Sequence, residues 1–181
     1  MGTAGFHSLR VMVVDPSSYS RSLLRDVLAS LGLSDLITAD SCAQARSALM
    51  SRHRDVIFLA DTAGDIAAFV RALRRDTGTR NITVPVFLVS GSIQQADIAR
   101  ARDAGMNGII VKPVSAATVE RKLKAALESP RDWVASMEFI GPDRRGRKER
   151  RVNRVSKRER RGPAEPGRVT PVTPRLPKPD A

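Results

Sequence analysis

The sequence has almost none of the residues that form disulfide frameworks or cysteine metal sites. Cys42 is the only cysteine among 181 residues, which excludes an internal disulfide and a cysteine-based zinc site. The two histidines, His7 and His53, show no ligand spacing and fit surface positions. A lone thiol is typical of a protein kept in a reducing compartment, and we expect the chain to be cytoplasmic.

Long apolar runs are also missing. No stretch of the chain approaches the ~20 consecutive apolar residues that a membrane-spanning helix requires. The N-terminal segment lacks the basic start and apolar block of a secretory signal peptide. We therefore expect no membrane among the partners of this protein.

The motifs of nucleotide-binding and hydrolytic enzymes are missing as well. The sequence has no Gly-rich phosphate loop, no G-x-S-x-G and no histidine near the ends of its predicted strands. Aromatic residues make up only 4% of the chain, so Leu, Val, Ile and Ala must build the core. The missing nucleotide-binding and hydrolase motifs predict a protein that is not an enzyme.

Acidic residues are in the minority, above all near the C-terminal end. The net charge is +12; residues 1–130 hold 16 Lys/Arg and 12 Asp/Glu, whereas residues 131–181 hold 15 and 7. Most of the net charge therefore belongs to the C-terminal segment. Such an imbalance indicates an interaction tail and not a property of the fold.

Five apolar runs alternate with five helical patterns. The predicted strands are Leu9–Val14, Leu36–Ala39, Val56–Ala60, Val84–Val89 and Gly108–Val111. Serines at the starts of helical patterns predict N-caps at Ser17 or Ser18, Ser41, Ser92 and Ser115. In the third helix, Arg71, Arg74 and Arg75 are predicted to face solvent. The alternation indicates a parallel sheet with helices on both faces.

Polar side chains follow these strands where a parallel sheet gathers its ligands. The stretch DVIFLADTAGD (55–65) runs from a buried strand into Asp61, and Asp15, Ser90 and Lys112 stand at three other strand ends. Two carboxylates suit Mg²⁺, which binds through one or two carboxylates, waters and phosphate oxygens. A lysine and a serine beside them suit a phosphoryl group, so the pattern favours phosphoryl transfer to a carboxylate.

Five ordered motifs resemble those of response-regulator receiver domains. They are VVD (13–15), LAD (59–61), FLVSGS (87–92), ARDAGMNG (101–108) and VKP (111–113). The resemblance implies the flavodoxin-like fold, with strand order 2-1-3-4-5. It also implies two-component or phosphorelay signalling, with a histidine kinase or phosphotransfer protein as partner.

The same resemblance assigns roles to particular residues. Asp61 matches the phospho-acceptor, and Mg²⁺ would be held by Asp15, Asp61 and the backbone carbonyl of Ala63. Ser90 matches the switch hydroxyl and Lys112 the invariant lysine, and the bond before Pro113 is expected to be cis. Signalling would then proceed through protein–protein contacts.

Three departures from the family pattern affect this site. Pro16 stands where the family has a second acid, which predicts weaker Mg²⁺ binding. Ile109 stands where the family has a switch aromatic, and the loop after Asp61 is short. A register shifted by one residue would place Ala60 at the acceptor position. These features leave open an alternative: a pseudo-receiver that acts as an interaction module without phosphate.

The remaining residues are predicted to lie outside the receiver domain. We expect an N-terminal arm (1–7), a receiver (8–129), a linker (130–143) anchored by Trp133 and Phe139, and a disordered tail (144–181). The segment GPDRR (141–145) is similar to the tail of a group of bacterial stand-alone receivers. Residues 144–161 hold 11 Lys/Arg and two acids, so nucleic acid is an alternative partner, and a Pro-rich stretch follows them.

Overall fold

The computed structural model of the protein describes residues 6–144. The predicted tail therefore lies outside the described residues, apart from Arg144. Seven strands and five helices are present in residues 6–144. In chain order they are β1 (Arg10–Val14), α1 (Ser18–Ser30), β2 (Asp35–Ala39), α2 (Cys42–Ser51), β3 (Val56–Ala60), α3 (Ile66–Arg75), β4 (Val86–Ser90), α4 (Gln95–Asp103), β5 (Gly108–Val111), α5 (Ala116–Leu127), β6 (Trp133–Ala135) and β7 (Ile140–Pro142).

The first five strands form one parallel sheet in the order β2-β1-β3-β4-β5, which confirms the predicted fold class. Successive side chains of a strand point to opposite faces, so each central strand contributes to two cores. Met12 and Ile57 face one core, together with residues of α2, α3 and α4. Val11 and Phe58 face the other, together with residues of α1 and α5.

Burial on both faces explains why the strands contain almost no polar residues. Every residue of β3 and β4 is buried. Each fully buried Val, Leu, Ile or Phe side chain stabilises the fold by roughly 1.5–3 kcal/mol. The strands are parallel, so their carboxyl ends meet at one edge of the sheet, and polar side chains are confined to that edge and the opposite one.

The predicted start of the fourth helix is wrong by two residues. The capping box forms between Gln94 and Asp97, and α4 begins at Gln95. Ser92 lies instead in the turn after β4, where its backbone carbonyl accepts a hydrogen bond from Ser90 Oγ. The hydroxyl at position 92 is therefore not the cap, because the turn places its residue outside the helix.

The segment predicted as a linker contains a small antiparallel hairpin, β6–β7. Trp133 and Phe139 are both buried, at 9% and 6% exposure. The hairpin packs closely against the turn that follows α4. A Cβ atom built on Gly141 would lie only 2.9 Å from the Cα atom of Gly105 in that turn. The sequence did not predict these strands because three residues are too few to show a period.

None of the helices within residues 6–144 has the length and apolar character that crossing a membrane requires.

Candidate functional site

Four polar side chains predicted from the sequence lie at the carboxyl edge of the sheet, where they form two contacting pairs, Asp61 with Ser90 and Asp15 with Lys112. Asp15 directly follows β1, Asp61 directly follows β3, Ser90 ends β4 and Lys112 directly follows β5. This edge therefore carries two carboxylates, one hydroxyl and one ammonium group. They lie at the ends of β1, β3, β4 and β5, which are adjacent in the sheet.

The carboxylate of Asp61 contacts the hydroxyl of Ser90. The Oγ atom of Ser90 lies 2.5 Å from Asp61 Oδ2 and also 2.5 Å from the backbone oxygen of Ser92. The hydroxyl has one proton, which these two acceptors share. Asp61 is exposed and its carboxylate reaches Ser90, whereas Ala60 is buried in the strand. The residue that contacts Ser90 at the end of β3 is therefore Asp61 and not Ala60.

The carboxylate of Asp15 is buried, and each of its two oxygens has one partner. Its Oδ2 atom lies 3.0 Å from the ammonium of Lys112, and its Oδ1 atom accepts the backbone N–H of Ser17 at 2.9 Å. Asp15 is only 5% exposed. The same ammonium lies 3.4 Å from the hydroxyl of Ser20. The ion pair and the N–H donor together fix the position of the Asp15 carboxylate at this edge of the sheet.

Arg21 also reaches this site, although the sequence analysis did not identify it. Its Nη1 atom donates to the backbone oxygens of Asp15, at 2.5 Å, and Pro16, at 3.1 Å. The guanidinium therefore holds the loop between β1 and α1. The available signal was a cation near the start of a helix, where the macrodipole disfavours positive charge unless another contact compensates.

The backbone carbonyl of Ala63 points to the start of α2. It accepts the N–H of Cys42 at 3.0 Å, and Ala63 itself is buried.

Burial, and then the negative charge of Asp65, raise the pKa of the Cys42 thiol. The thiol, in the first turn of α2, therefore stays protonated near neutral pH.

The donor set fits a divalent cation that is held mainly by water. Asp15 and Asp61 supply carboxylate oxygens, which Mg²⁺ prefers. The third predicted donor, the carbonyl of Ala63, already accepts the N–H of Cys42, and Pro16 supplies no side-chain donor. No cluster of three or more His, Cys, Asp or Glu side chains occurs in the described part of the chain. A cation here would also compete with Lys112 for the carboxylate of Asp15.

Two other predicted positions lie on or after β5. Ile109 is half-buried and packs against the core on the α4 side of the sheet. The peptide bond between Lys112 and Pro113 is cis.

The chain is similar to proteins of one signalling family along most of its described length. The family model for the response regulator receiver domain matches residues 11–124, more than half of the chain. The chain is 26% identical over 122 residues to the chemotaxis protein CheY of Pseudomonas aeruginosa, covering 66% of this chain and 97% of that protein. It is 25% identical over 122 residues to CheY1 of Helicobacter pylori, with the same two coverages.

Solved structures show the same fold. The chemotaxis response regulator CheY4 of Vibrio cholerae has a TM-score of 0.58 at 21% identity, covering 66% of this chain and 98% of that one. The receiver domain of a sensor histidine kinase from Pseudomonas aeruginosa, solved with a magnesium ion in its active site cleft, has a TM-score of 0.57 at 20% identity, covering 64% and 94%. The chain therefore belongs to the response regulator receiver family of two-component signalling and has its CheY-like fold.

Proposed function

We propose that Asp61 is the phospho-acceptor of this receiver and that a histidine kinase or a phosphotransfer protein supplies the phosphoryl group. The observation that carries the proposal is the contact of 2.5 Å between an exposed carboxylate, Asp61, and the hydroxyl of Ser90 at the carboxyl edge of the sheet. An oxygen of Asp61 attacks the phosphorus of a phosphohistidine. The P–N bond breaks as the P–O bond forms, and the histidine nitrogen keeps the electron pair.

Two side chains support the proposed transfer. The Ser90 hydroxyl donates to Asp61 and would donate to a phosphoryl oxygen carried by the same side chain. The ammonium of Lys112 supplies positive charge at the next strand. Asp15 and Asp61 are the residues that would hold Mg²⁺, and the ion would supply further positive charge to the phosphoryl oxygens.

The proposed output is a change in protein contacts and not a catalysed reaction. Ile109 packs on the core beneath α4, so the face formed by α4 and β5 is the surface through which a change at Ser90 would be transmitted. We assign residues 8–129 to the receiver and expect it to act in the cytoplasm.

The proposal is tested by incubating the full chain with acetyl phosphate and Mg²⁺ and measuring intact mass. The wild type should gain one phosphoryl group, and Asp61→Asn should gain none. Asp65→Asn is the matched control: it changes a nearby carboxyl, and Asn still caps α3, as the Asp65 side chain does now. A wild type that gains no mass even at high Mg²⁺ contradicts the proposal, as does an Asp61→Asn variant that is still phosphorylated.

A further inference from the structure

A groove on the surface between α2 and α3 has an apolar floor and a wall of small side chains. Its volume is about 420 Å³. Leu49, Phe69 and Leu73 are buried and form its floor, whereas Ala68 and Ala72 of α3 are more accessible. The other lining residues are Cys42, Ala43, Arg46, Met50, Asp65, Asp76 and Thr79. The groove therefore leaves apolar surface open to solvent beside a few charged groups.

The end of the groove next to Met50 is held in place by a buried side chain. Asn81, only 1% exposed, donates from its amide to the backbone oxygens of Leu49 and Arg52, at 3.0 and 3.3 Å. These bonds fix the last turn of α2 against the loop that follows α3. The groove is therefore formed before a partner binds, and binding does not have to order it.

Met50 projects from the α2 wall of this groove. Its side chain is 80% exposed, and a flexible thioether side chain adapts readily to irregular hollows. Across the groove, Ala68 and Ala72 carry only a methyl group each, which leaves room above α3 for a side chain of another molecule. The same face therefore has both a projecting apolar side chain and a place that would receive one.

The charges of the groove are of both signs. Arg46 lies on the α2 wall, whereas Asp65 and Asp76 cap the two ends of α3. One cation and two carboxylates give the lining a net charge of −1, although the whole chain carries +12. Two copies of the chain repel each other overall, and this face offers them local attraction instead. A polyanion would meet two carboxylates here, and a purely basic partner would leave Arg46 unpaired.

We propose that two copies of the chain pair through this groove, related by a two-fold axis. A two-fold interface is self-complementary, because each contact between the copies occurs twice with the roles of the copies exchanged. Both α2 and α3 return from the carboxyl edge of the same parallel sheet, so they run in the same direction. An axis normal to the groove therefore places α2 of one copy antiparallel to α3 of the other. Asp61 does not line the groove, so the pairing is independent of phosphoryl transfer.

The spacing of the lining residues fits this arrangement. Residues four apart on a helix lie about 6 Å apart along its axis. Where Met50 of one copy lies over Ala68 of the other, Arg46 of the first copy lies over Ala72 of the second, one helical turn from Asp76. The two-fold axis repeats both contacts. Each copy then covers the exposed Met50 of the other, and both Arg46 side chains gain a carboxylate.

The test measures the mass of the full chain by sedimentation equilibrium, at protein concentrations from about 1 µM to about 1 mM. The wild type should form a dimer. Arg46→Asp and Asp76→Arg should each weaken dimerisation at least about 10-fold, because each variant places like charges together at both symmetric contacts. Met50→Ala should also weaken it about 10-fold, because a buried apolar anchor is lost.

A mixture of two variants separates the proposed contact from a general loss of folding. Equimolar Arg46→Asp and Asp76→Arg should form mixed dimers as tightly as the wild type. In the mixed dimer the introduced carboxylate faces the introduced guanidinium, and the other contact keeps its native pair. The matched controls are Arg25→Asp and Asp26→Arg, at exposed positions of α1 on the other face of the sheet. Alone and mixed, the controls should dimerise like the wild type.

The proposal is overturned by a wild type that stays monomeric up to about 1 mM. If that monomer binds an apolar dye, and binds it less tightly after Met50→Ala, the groove is a small-molecule site instead. Equal dimerisation of Arg46→Asp and Arg25→Asp would mean that the copies pair through another surface. A mixture of Arg46→Asp and Asp76→Arg that stays monomeric, with both variants folded by circular dichroism, would contradict the pairing of Arg46 with Asp76.

Discussion

The ammonium of Lys112 lies 3.0 Å from Oδ2 of Asp15, so the lysine after β5 is paired with the carboxylate after β1. Asp15 is 5% exposed, and a partly buried pair of opposite charges is screened less by salt than one on the surface. The protein therefore supplies a positive charge of its own at the position where Mg²⁺ would bind Asp15. Binding of the ion must work against this charge.

Replacing Lys112 with Gln should tighten the binding of Mg²⁺ at least about 10-fold, because the positive charge beside the carboxylate of Asp15 is removed. Calorimetric titration of the full chain with Mg²⁺ measures this directly. Lys124→Gln is the control, because Lys124 pairs with Glu120 on the exposed surface of α5. An unchanged affinity in Lys112→Gln would show that Lys112 does not compete with the ion.

The exposed position of Pro16 offers a second way to change the metal site. Pro16→Asp should bind Mg²⁺ at least about 10-fold more tightly than the wild type, because it adds a carboxylate next to Asp15. Ser17→Asp adds the same charge one residue later and can still cap α1, as Ser17 does now. Equal gains in both variants would mean that general charge, and not ligation from position 16, causes the effect.

The hydrogen bond from Ser90 to Asp61 should affect the rate at which Asp61 is phosphorylated. Ser90→Ala removes the hydroxyl that contacts Asp61 Oδ2, and uptake from acetyl phosphate should slow about 10-fold. Ser92→Ala is the control, because only the backbone atoms of Ser92 contact Ser90. Quenched time points analysed by intact mass give both rates. Equal slowing in the two variants would argue for a general effect of the turn.

The sequence predicted the fold and the strand-end side chains because both follow from simple patterns. The bounds of β3 and β5 match the predicted runs, since apolar segments end where polar residues begin. The partners of the site residues could not be predicted in this way. The carbonyl of Ala63 bonds to Cys42, and Lys112 to Asp15, because the packing of the loops and of α2 decides these contacts.

Arg74 shows a second limit of the sequence patterns. Helical periodicity placed it on the solvent side of α3, and this prediction is wrong, because Arg74 is only 1% exposed. The hairpin β6–β7 covers the place where its guanidinium would meet water, and Trp133 lies over it with its ring centroid 5.1 Å away. Periodicity describes one helix and carries no information about a segment that packs on it from far along the chain.

Asp55 predicts how stability depends on pH. Its carboxylate accepts the backbone N–H of Arg10 at 2.8 Å and two guanidinium bonds at 3.0 and 3.2 Å. Burial by itself would raise the pKa of this carboxyl, but the bonds and charge of Arg10, with a smaller contribution from His53, lower it below its ordinary value of 3.8. The folded-state pKa is therefore below the unfolded one. The contribution of Asp55 to stability is complete at pH values above its unfolded-state pKa. It is lost as the pH falls through its folded-state pKa.

Asp55→Asn should therefore lose about 2 kcal/mol of stability at pH 7 and show a flatter fall in stability below about pH 4. Urea unfolding at several pH values, followed by fluorescence, measures both effects. Asp26→Asn, at an exposed position of α1, is the control and should follow the wild type. The prediction fails if Asp55→Asn and the wild type have parallel pH dependences.

The buried guanidinium of Arg74 predicts the largest change in stability. It donates to the backbone oxygens of Ile82, Val84 and Gly105, and to the side chain of Asn107, at 2.6–3.2 Å. Burial lowers the pKa of this guanidinium to about 9, so it remains charged at neutral pH. All the acceptors of these bonds are neutral oxygens. A shorter side chain would remove the Arg74 donor from the carbonyls of Ile82, Val84 and Gly105, whereas Asn107 Oδ1 would keep the N–H of Val86.

Arg74→Gln should lower the free energy of unfolding by about 3 kcal/mol or more, because several buried oxygens lose their donors at once. Arg75→Gln is the matched control: the residue is next in the chain, is exposed, and should change stability by less than about 0.5 kcal/mol. Trp133 is the only tryptophan, so its fluorescence in urea reports both unfolding and the contact with Arg74. If Arg74 holds the hairpin on α3, the Trp133 emission of Arg74→Gln should move to longer wavelengths than that of the wild type while the rest of the protein is still folded. Equal unfolding midpoints for the two variants, with unchanged emission, would show that the hairpin is held without this guanidinium.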